Sequence, residues 1–175
     1  MSSLSVYPVS SPDLPNKVLT HCEDIAATLV EHGIRFERWS AATKLQPGAS
    51  HAEVIGAYQA QIDHLLSERD YSSVEVISIN SDQPAEPLQE QLHEQDIVRL
   101  FVTGRGLFNL HIGDYVYAVL CEKNDLILIP AGIKHWFDRG EHPHFMAIRL
   151  FKAADGAVAS VTGDDIASRF PRLDD

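Results

Sequence analysis

Glu90-Gln91-Leu92-His93-Glu94-Gln95-Asp96-Ile97-Val98-Arg99-Leu100-Phe101-Val102-Thr103-Gly104 and Asn124-Asp125-Leu126-Ile127-Leu128-Ile129-Pro130-Ala131-Gly132-Ile133-Lys134-His135-Trp136-Phe137 are two strand-forming runs. Each is rich in Val, Ile, Leu and Phe and is punctuated by turn residues. On a strand, residues two apart share a face, so Gln91 and His93, and then Ile97 and Arg99, are expected to project the same way. A facing strand would bring His135 to them. By the same parity Glu94 and Asp96 point outward, and only a bulge would turn either inward. Trp136, next to His135, is expected on the opposite face as core packing.

Outward from these runs the chain continues as strands. Val74 and Val76 alternate with Ser73 and Glu75, and the change of parity at Ile77 predicts either a bulge or a strand buried on both faces. Gly113-Asp114 between His111 and Tyr115 is a hairpin signal, Asn124-Asp125 marks a second turn and Pro130 to Gly132 a third. The segment Ser81 to Gln91 reads as a loose connector. Upstream, Ile25, Ala26, Leu29 and Val30 recur at helical spacing before Gly33. A second helix starts at Ser50, where Ser50 and Glu53 form a capping-box pattern, and runs to about Leu66 with His51 and His64 facing solvent. Many short strands predict a sandwich or barrel, between which periodicity does not choose.

At 175 residues the chain suits one domain that buries roughly 70% of the surface its unfolded form exposes. The expected division is an N-terminal helical part over 1–72, a β-barrel core over 73–151 and a tail over 152–175 packed on the barrel. The formal charge of −11 disfavours nucleic acid and anionic membrane, both of which demand clustered Lys and Arg. With no apolar run of membrane-spanning or leader length, a cytoplasmic protein is expected. Cys22 and Cys121 are too few for a disulfide framework and are expected to be buried thiols. His111, beside a hairpin turn, and His142 and His144, around Pro143, are expected at the surface.

The two quoted runs resemble the paired motifs of the cupins, H-x-H…E…G followed by P-x-G-x-x-H, which implies a mainly β single-domain barrel with a metal inside it. Similarity narrows further to the acireductone dioxygenases. It is carried by Ser2 to Tyr7, Gly33 to Trp39, Gly104-Arg105-Gly106-Leu107-Phe108, Cys121 to Leu126, Lys134 to Asp138 and the tail Thr162 to Leu173. The resemblance implies oxidative cleavage of an enediol ketone of methionine salvage, with Fe(2+) or Ni(2+) held by an H-x-H-x-x-x-E cluster and a later histidine. It also implies a monomer.

Two of those four positions depart from the pattern. His93 and His135 match ligands, Gln91 stands where a histidine is expected and Ile97 where the carboxylate is expected. An imidazole pair with a neutral amide predicts weak or absent metal binding, since even changes around a metal's ligands cost roughly 10 to 100-fold in affinity. On this ground the chain reads as a divergent member with a degenerate metal site. Arg99 shares the parity of Ile97, and Arg149 matches another arginine that the family keeps near its substrate. Without a glutamate at 97, Arg99 needs another anion, because an unpaired interior charge is costly. The expected partner is therefore a small anionic molecule bound by Arg99 and Arg149. Three functions follow: the family's dioxygenation in impaired form, a paralogue's altered reaction on a small anionic, sulfur-containing metabolite with His93 and His135 as acid and base, or non-catalytic binding.

Overall fold

The computed structural model describes residues 2–69, 71–80, 88–152 and 159–174. Its strands form two antiparallel sheets stacked face to face. The larger sheet has the order β12-β5-β10-β7-β8-β1-β2, built from β1 (Ser3–Pro8), β2 (Lys17–Leu19), β5 (Gln91–Leu92), β7 (Gly106–Ile112), β8 (Tyr115–Cys121), β10 (Lys134–Asp138) and β12 (Ser160–Val161). The smaller has the order β3-β9-β6-β11-β4, from β3 (Arg35–Arg38), β4 (Ser73–Ile79), β6 (Ile97–Gly104), β9 (Asp125–Ile129) and β11 (Phe145–Phe151). This mainly β double-sheet barrel is the architecture that the cupin resemblance implies.

Three apolar layers account for the stacking. Between the sheets, Leu4, Val6, Phe108, Leu110 and Val119 of the larger sheet meet Ile97, Phe101, Ile127, Ile129 and Ala147 of the smaller. Helix α1 (Cys22–Val30) adds Ile25 and Leu29 to that core. The outer face of the smaller sheet, with Val98, Leu100, Leu126, Leu128 and Ile148, is covered by α2 (His51–Ala57) and α3 (Gln59–Glu68) through Val54, Tyr58, Ile62 and Leu65. Burial on both faces explains why Asp125 to Ile129 shows no alternation. On the outer face of the larger sheet, Val116 and Trp136 pack under Ile166, Ala167 and Phe170 of the C-terminal segment.

Local signals translate directly. The capping box of Ser50 and Glu53 forms, Gly113 and Gly132 take positive φ in their turns, and Asn124 does so at 74°. The predicted second helix is interrupted at Tyr58, which caps α2 and begins α3. Three short strands, β1, β2 and β3, lie within the stretch read as helical, and β1 pairs with β8 from Ser3 opposite Leu120 to Pro8 opposite Tyr115. The parity change at Ile77 is not a bulge in the pairing of β4 with β11, which is continuous; the irregularity falls between Met146 and Ala147, where β11 meets β6. Cys121 is buried as expected, whereas Cys22 is half-buried. Residues 81–87 of the expected connector and 153–158 of the tail lie outside the described residues.

Candidate active site

His93, His135, Arg99 and Arg149 line one cavity of about 290 Å3 at the end of the barrel, together with Gln91 and Ile97. They reach it from both sheets. Gln91 sits in β5 directly opposite His135 in β10, and His93 follows in the bend that leaves β5. The imidazole rings of His93 and His135 stack at 5.0 Å between centroids with 22° between planes. The chain then turns through Glu94 and Gln95 and enters the opposite sheet at Ile97. A single strand therefore does not carry His93, Ile97 and Arg99, as parity counting has it; His93 lies just beyond β5 of the larger sheet, whereas Ile97 and Arg99 lie on β6 of the smaller.

Parity does hold along β6 itself. Ile97 is buried in the inter-sheet core, and Arg99 faces the same cavity. Across the sheet Arg99 is in register with Arg149, so two guanidinium groups occupy directly opposed positions, an arrangement that destabilises a sheet pair. Arg149 has partial relief: its Nε lies 2.9 Å from Glu75 Oε1, although that N–H makes no hydrogen bond among the described residues, and its guanidinium carbon sits 4.7 Å from the Phe151 ring centroid. For Arg99 the one hydrogen bond among the described residues runs from Nη1 to the Val98 carbonyl at 3.1 Å. Desolvation, then the neighbouring charge of Arg149, pushes its pKa down to about 10.

His135 is prepared as a neutral donor of electrons. Its Nδ1 lies 2.9 Å from the carbonyl oxygen of Ile133; a carbonyl accepts, so Nδ1 carries the proton and Nε2 keeps its lone pair. Burial lowers the pKa of His135, which favours the same uncharged form. Neighbouring acids do not complete a ligand set. Asp96 is committed elsewhere: Oδ1 accepts from the Ala131 N–H at 3.0 Å and Oδ2 from the Tyr71 hydroxyl at 3.0 Å. Glu94 is exposed. Among the described residues no three His, Cys, Asp or Glu side chains come together to hold a metal ion. Two imidazoles and the Gln91 amide do not fit the four-ligand anionic set that the cupin resemblance implies.

Several neighbours were not legible beforehand. His111, expected at the surface, is largely buried, and its Nδ1 lies 2.6 Å from Glu90 Oε2. Glu90 is itself fully buried and accepts from Thr162 Oγ1 at 2.8 Å. This cluster pins β5 between β10 and β12, and so sets where Gln91 stands. Asp138, at the end of the His135 strand, is buried and ties the C-terminal segment to the cavity rim. His142 and His144 are exposed as expected, and Trp136 packs in the outer core. A wider cleft of about 870 Å3, lined in part by Arg38, Arg105 and Lys123, adjoins the cavity at Arg139 and Gly140. The smaller cavity is the candidate site because it gathers both histidines with the opposed arginines.

Among the described residues no helix is long and apolar enough to cross a membrane. The profile of the ARD/ARD' family matches residues 8–159. The acireductone dioxygenases of Pseudomonas fluorescens strain Pf0-1 and Pseudomonas aeruginosa strain PAO1 are 67% and 59% identical to this chain, with all of each chain covered. Both alignments span 181 positions against 175 residues, so six positions have no residue of this chain opposite them. At these identities the expectation of a divergent member fails for the chain as a whole. A solved acireductone dioxygenase from Bacillus anthracis, described with a cadmium ion in its active centre, superposes with a TM-score of 0.74 at 24% identity, covering 91% of this chain and 98% of that one. Its likeness bears on the fold. With the family profile spanning most of the sequence and relatives this similar from end to end, the chain belongs to the ARD/ARD' family of acireductone dioxygenases.

Proposed function

We propose that the chain is an acireductone dioxygenase-type oxidoreductase whose cavity binds a small enediolate or carboxylate anion between Arg99 and Arg149, and whose hold on the catalytic metal is weaker than the family pattern provides. The observation that carries the first half is the opposed pair of guanidinium groups, one of which has no carboxylate partner among the described residues. An anion lying across both would relieve their mutual repulsion and satisfy Arg99. The second half rests on Gln91 and Ile97 at two ligand positions, which leave His93 and His135 as the imidazole donors. In the family that this sequence resembles, the bound Fe(2+) or Ni(2+) would supply the activation of dioxygen and enediolate. The protein's own part is to orient the anion beside the two histidines and to keep His135 uncharged.

The test is metal content and acireductone turnover of protein purified without chelator, beside a Gln91→His, Ile97→Glu double variant. The native chain should carry well under one equivalent of Fe, Ni or Mn. The double variant should gain at least roughly 10 to 100-fold in metal affinity, with turnover rising in step. One tightly held equivalent in the native protein, or no gain in the variant, would overturn the proposed metal deficit. Unchanged affinity of every small anion after Arg99→Gln would overturn the anion-binding half.

A further inference from the structure

We infer that the wide cleft beside the candidate active site is a second binding site, for a small phosphorylated molecule, and that Arg38, Arg105 and Lys123 hold the phosphate. The cleft, of about 870 Å3, shares Arg139 and Gly140 with the smaller cavity but neither of its histidines and neither of its opposed arginines. The inference is therefore independent of the anion-pocket reading above. Topology gathers the three cations. Arg105 is the single residue between β6 and β7, Lys123 lies in the turn between β8 and β9, and Arg38 ends β3 directly opposite Asp125, the first residue of β9. Side chains far apart in the sequence thus meet around one space.

The charge of this cleft runs against that of the chain. The sequence holds 14 Lys and Arg against 25 Asp and Glu, whereas the cleft is lined by Arg38, Arg105, Lys123 and Arg139 with only Glu122 and Asp174 for acids. Asp174 already accepts from the Glu141 N–H at 2.7 Å. Arg105 and Lys123 make no hydrogen bond or ion pair among the described residues. Arg38 is anchored through Nη2 alone, 3.4 Å from Asp125 Oδ1 and 3.2 Å from Ser2 Oγ, so its Nε and Nη1 have no partner among the described residues. The frame beneath these side chains is fixed. Buried Asp125 accepts from the Glu122 N–H at 2.8 Å, and Asn124 donates its N–H to the Phe101 carbonyl at 2.7 Å while accepting from the Trp39 N–H at 2.7 Å and the Tyr58 hydroxyl at 2.9 Å. Gly104, at a φ of 75°, lets the turn of Arg105 close on the His144 carbonyl, which a Cβ there would strike. A preformed backbone carrying unpaired cations limits the ordering cost of binding to a few side chains. Gathered like charges raise the local potential, and a bound polyanion relieves it. A phosphate suits them better than a lone carboxylate, because it places up to two charges and three acceptor oxygens on one centre, within reach of donors that arrive from separate turns. The volume leaves room for an organic body beside it.

Calorimetric titration of the full chain with inorganic pyrophosphate tests this, with citrate as comparison, since citrate is also polyanionic and also chelates metal. Pyrophosphate should bind despite the formal charge of −11, and citrate more weakly. Arg105→Gln and Lys123→Gln, both at exposed positions, should each raise the pyrophosphate Kd about three- to five-fold, and the double variant about ten-fold or more. Arg99→Gln, which is expected to weaken pyruvate, a small carboxylate suited to the smaller cavity, should leave pyrophosphate unchanged. Absence of pyrophosphate binding, binding that the double variant retains, or binding that Arg99→Gln abolishes would overturn the cleft as the site. Citrate binding as tight as that of pyrophosphate would overturn its assignment to phosphate.

Discussion

Replacing Arg99 by methionine should make the protein more stable and less able to bind an anion. The magnitude comes from the buried charge. Burial and then the neighbouring charge of Arg149 lower the Arg99 pKa from its ordinary range to about 10 in the fold, and each unit of lowering corresponds to about 1.36 kcal/mol. At pH 7, below both values, the folded state carries the whole penalty, about 3 kcal/mol as an upper figure. The side chain keeps some contact with cavity solvent, so about 1 to 3 kcal/mol is the expected gain when the unbranched, apolar methionine takes its place. For a domain of this size that raises the Tm by roughly 3 to 10 °C. Urea unfolding monitored by tryptophan fluorescence gives the free energy, and calorimetric titration with pyruvate gives the affinity. Wild-type protein should also be stabilised by added pyruvate while Arg99→Met is not, because a ligand stabilises only the state that binds it. A variant destabilised by more than about 1 kcal/mol, or one that gained stability and still bound pyruvate as wild type does, would refute the claim that Arg99 is held at a cost in order to meet an anion.

Two further outcomes are expected elsewhere. A Cβ at Gly106 would lie 2.4 Å from ring atoms of Phe137 and 3.3 Å from Phe101. Those rings are locked against Phe108 and Phe145, so Gly106→Ala should cost about 1 to 3 kcal/mol in urea unfolding, and wild-type stability would count against that packing. Burial, followed by the charge and hydrogen bond of Asp96, raises the Tyr71 hydroxyl well above its usual range. Its stabilising contribution is therefore complete below pH ~10 and shrinks as pH rises past it, where the unfolded chain sheds a proton that the fold retains. The stability difference between wild type and Tyr71→Phe should narrow above that pH, and a pH-independent difference would contradict the assignment.

What the sequence made legible was local or periodic. Ser50 with Glu53, Gly113 and Asn124 act through neighbours a few residues away, so their turns and cap could be read from composition and spacing alone. The alternation of Ile97 and Arg99 placed both toward the cavity for the same reason. Parity failed between His93 and Ile97 because the chain bends at Glu94 and Gln95 and changes sheets, which no periodicity announces. The strands β1 to β3 were missed because their partners are distant: Ser3 lies opposite Leu120, and Arg35 opposite Leu128. His111 was misplaced because its burial depends on Glu90, which Thr162 in turn holds from the far end of the chain.

The position of β5 has an implication for how the molecule is made. One flank of that two-residue strand is formed by β10 and the other by β12, and Thr162 closes on Glu90 from just beyond β12. During synthesis the barrel sheets can begin to assemble as soon as β11 has emerged, but the strand that carries Gln91 and leads into His93 then still lacks a neighbour. The cavity is thus the last region of this chain to be finished, and a nascent protein passes through a stage that is shaped but not yet competent to hold a ligand.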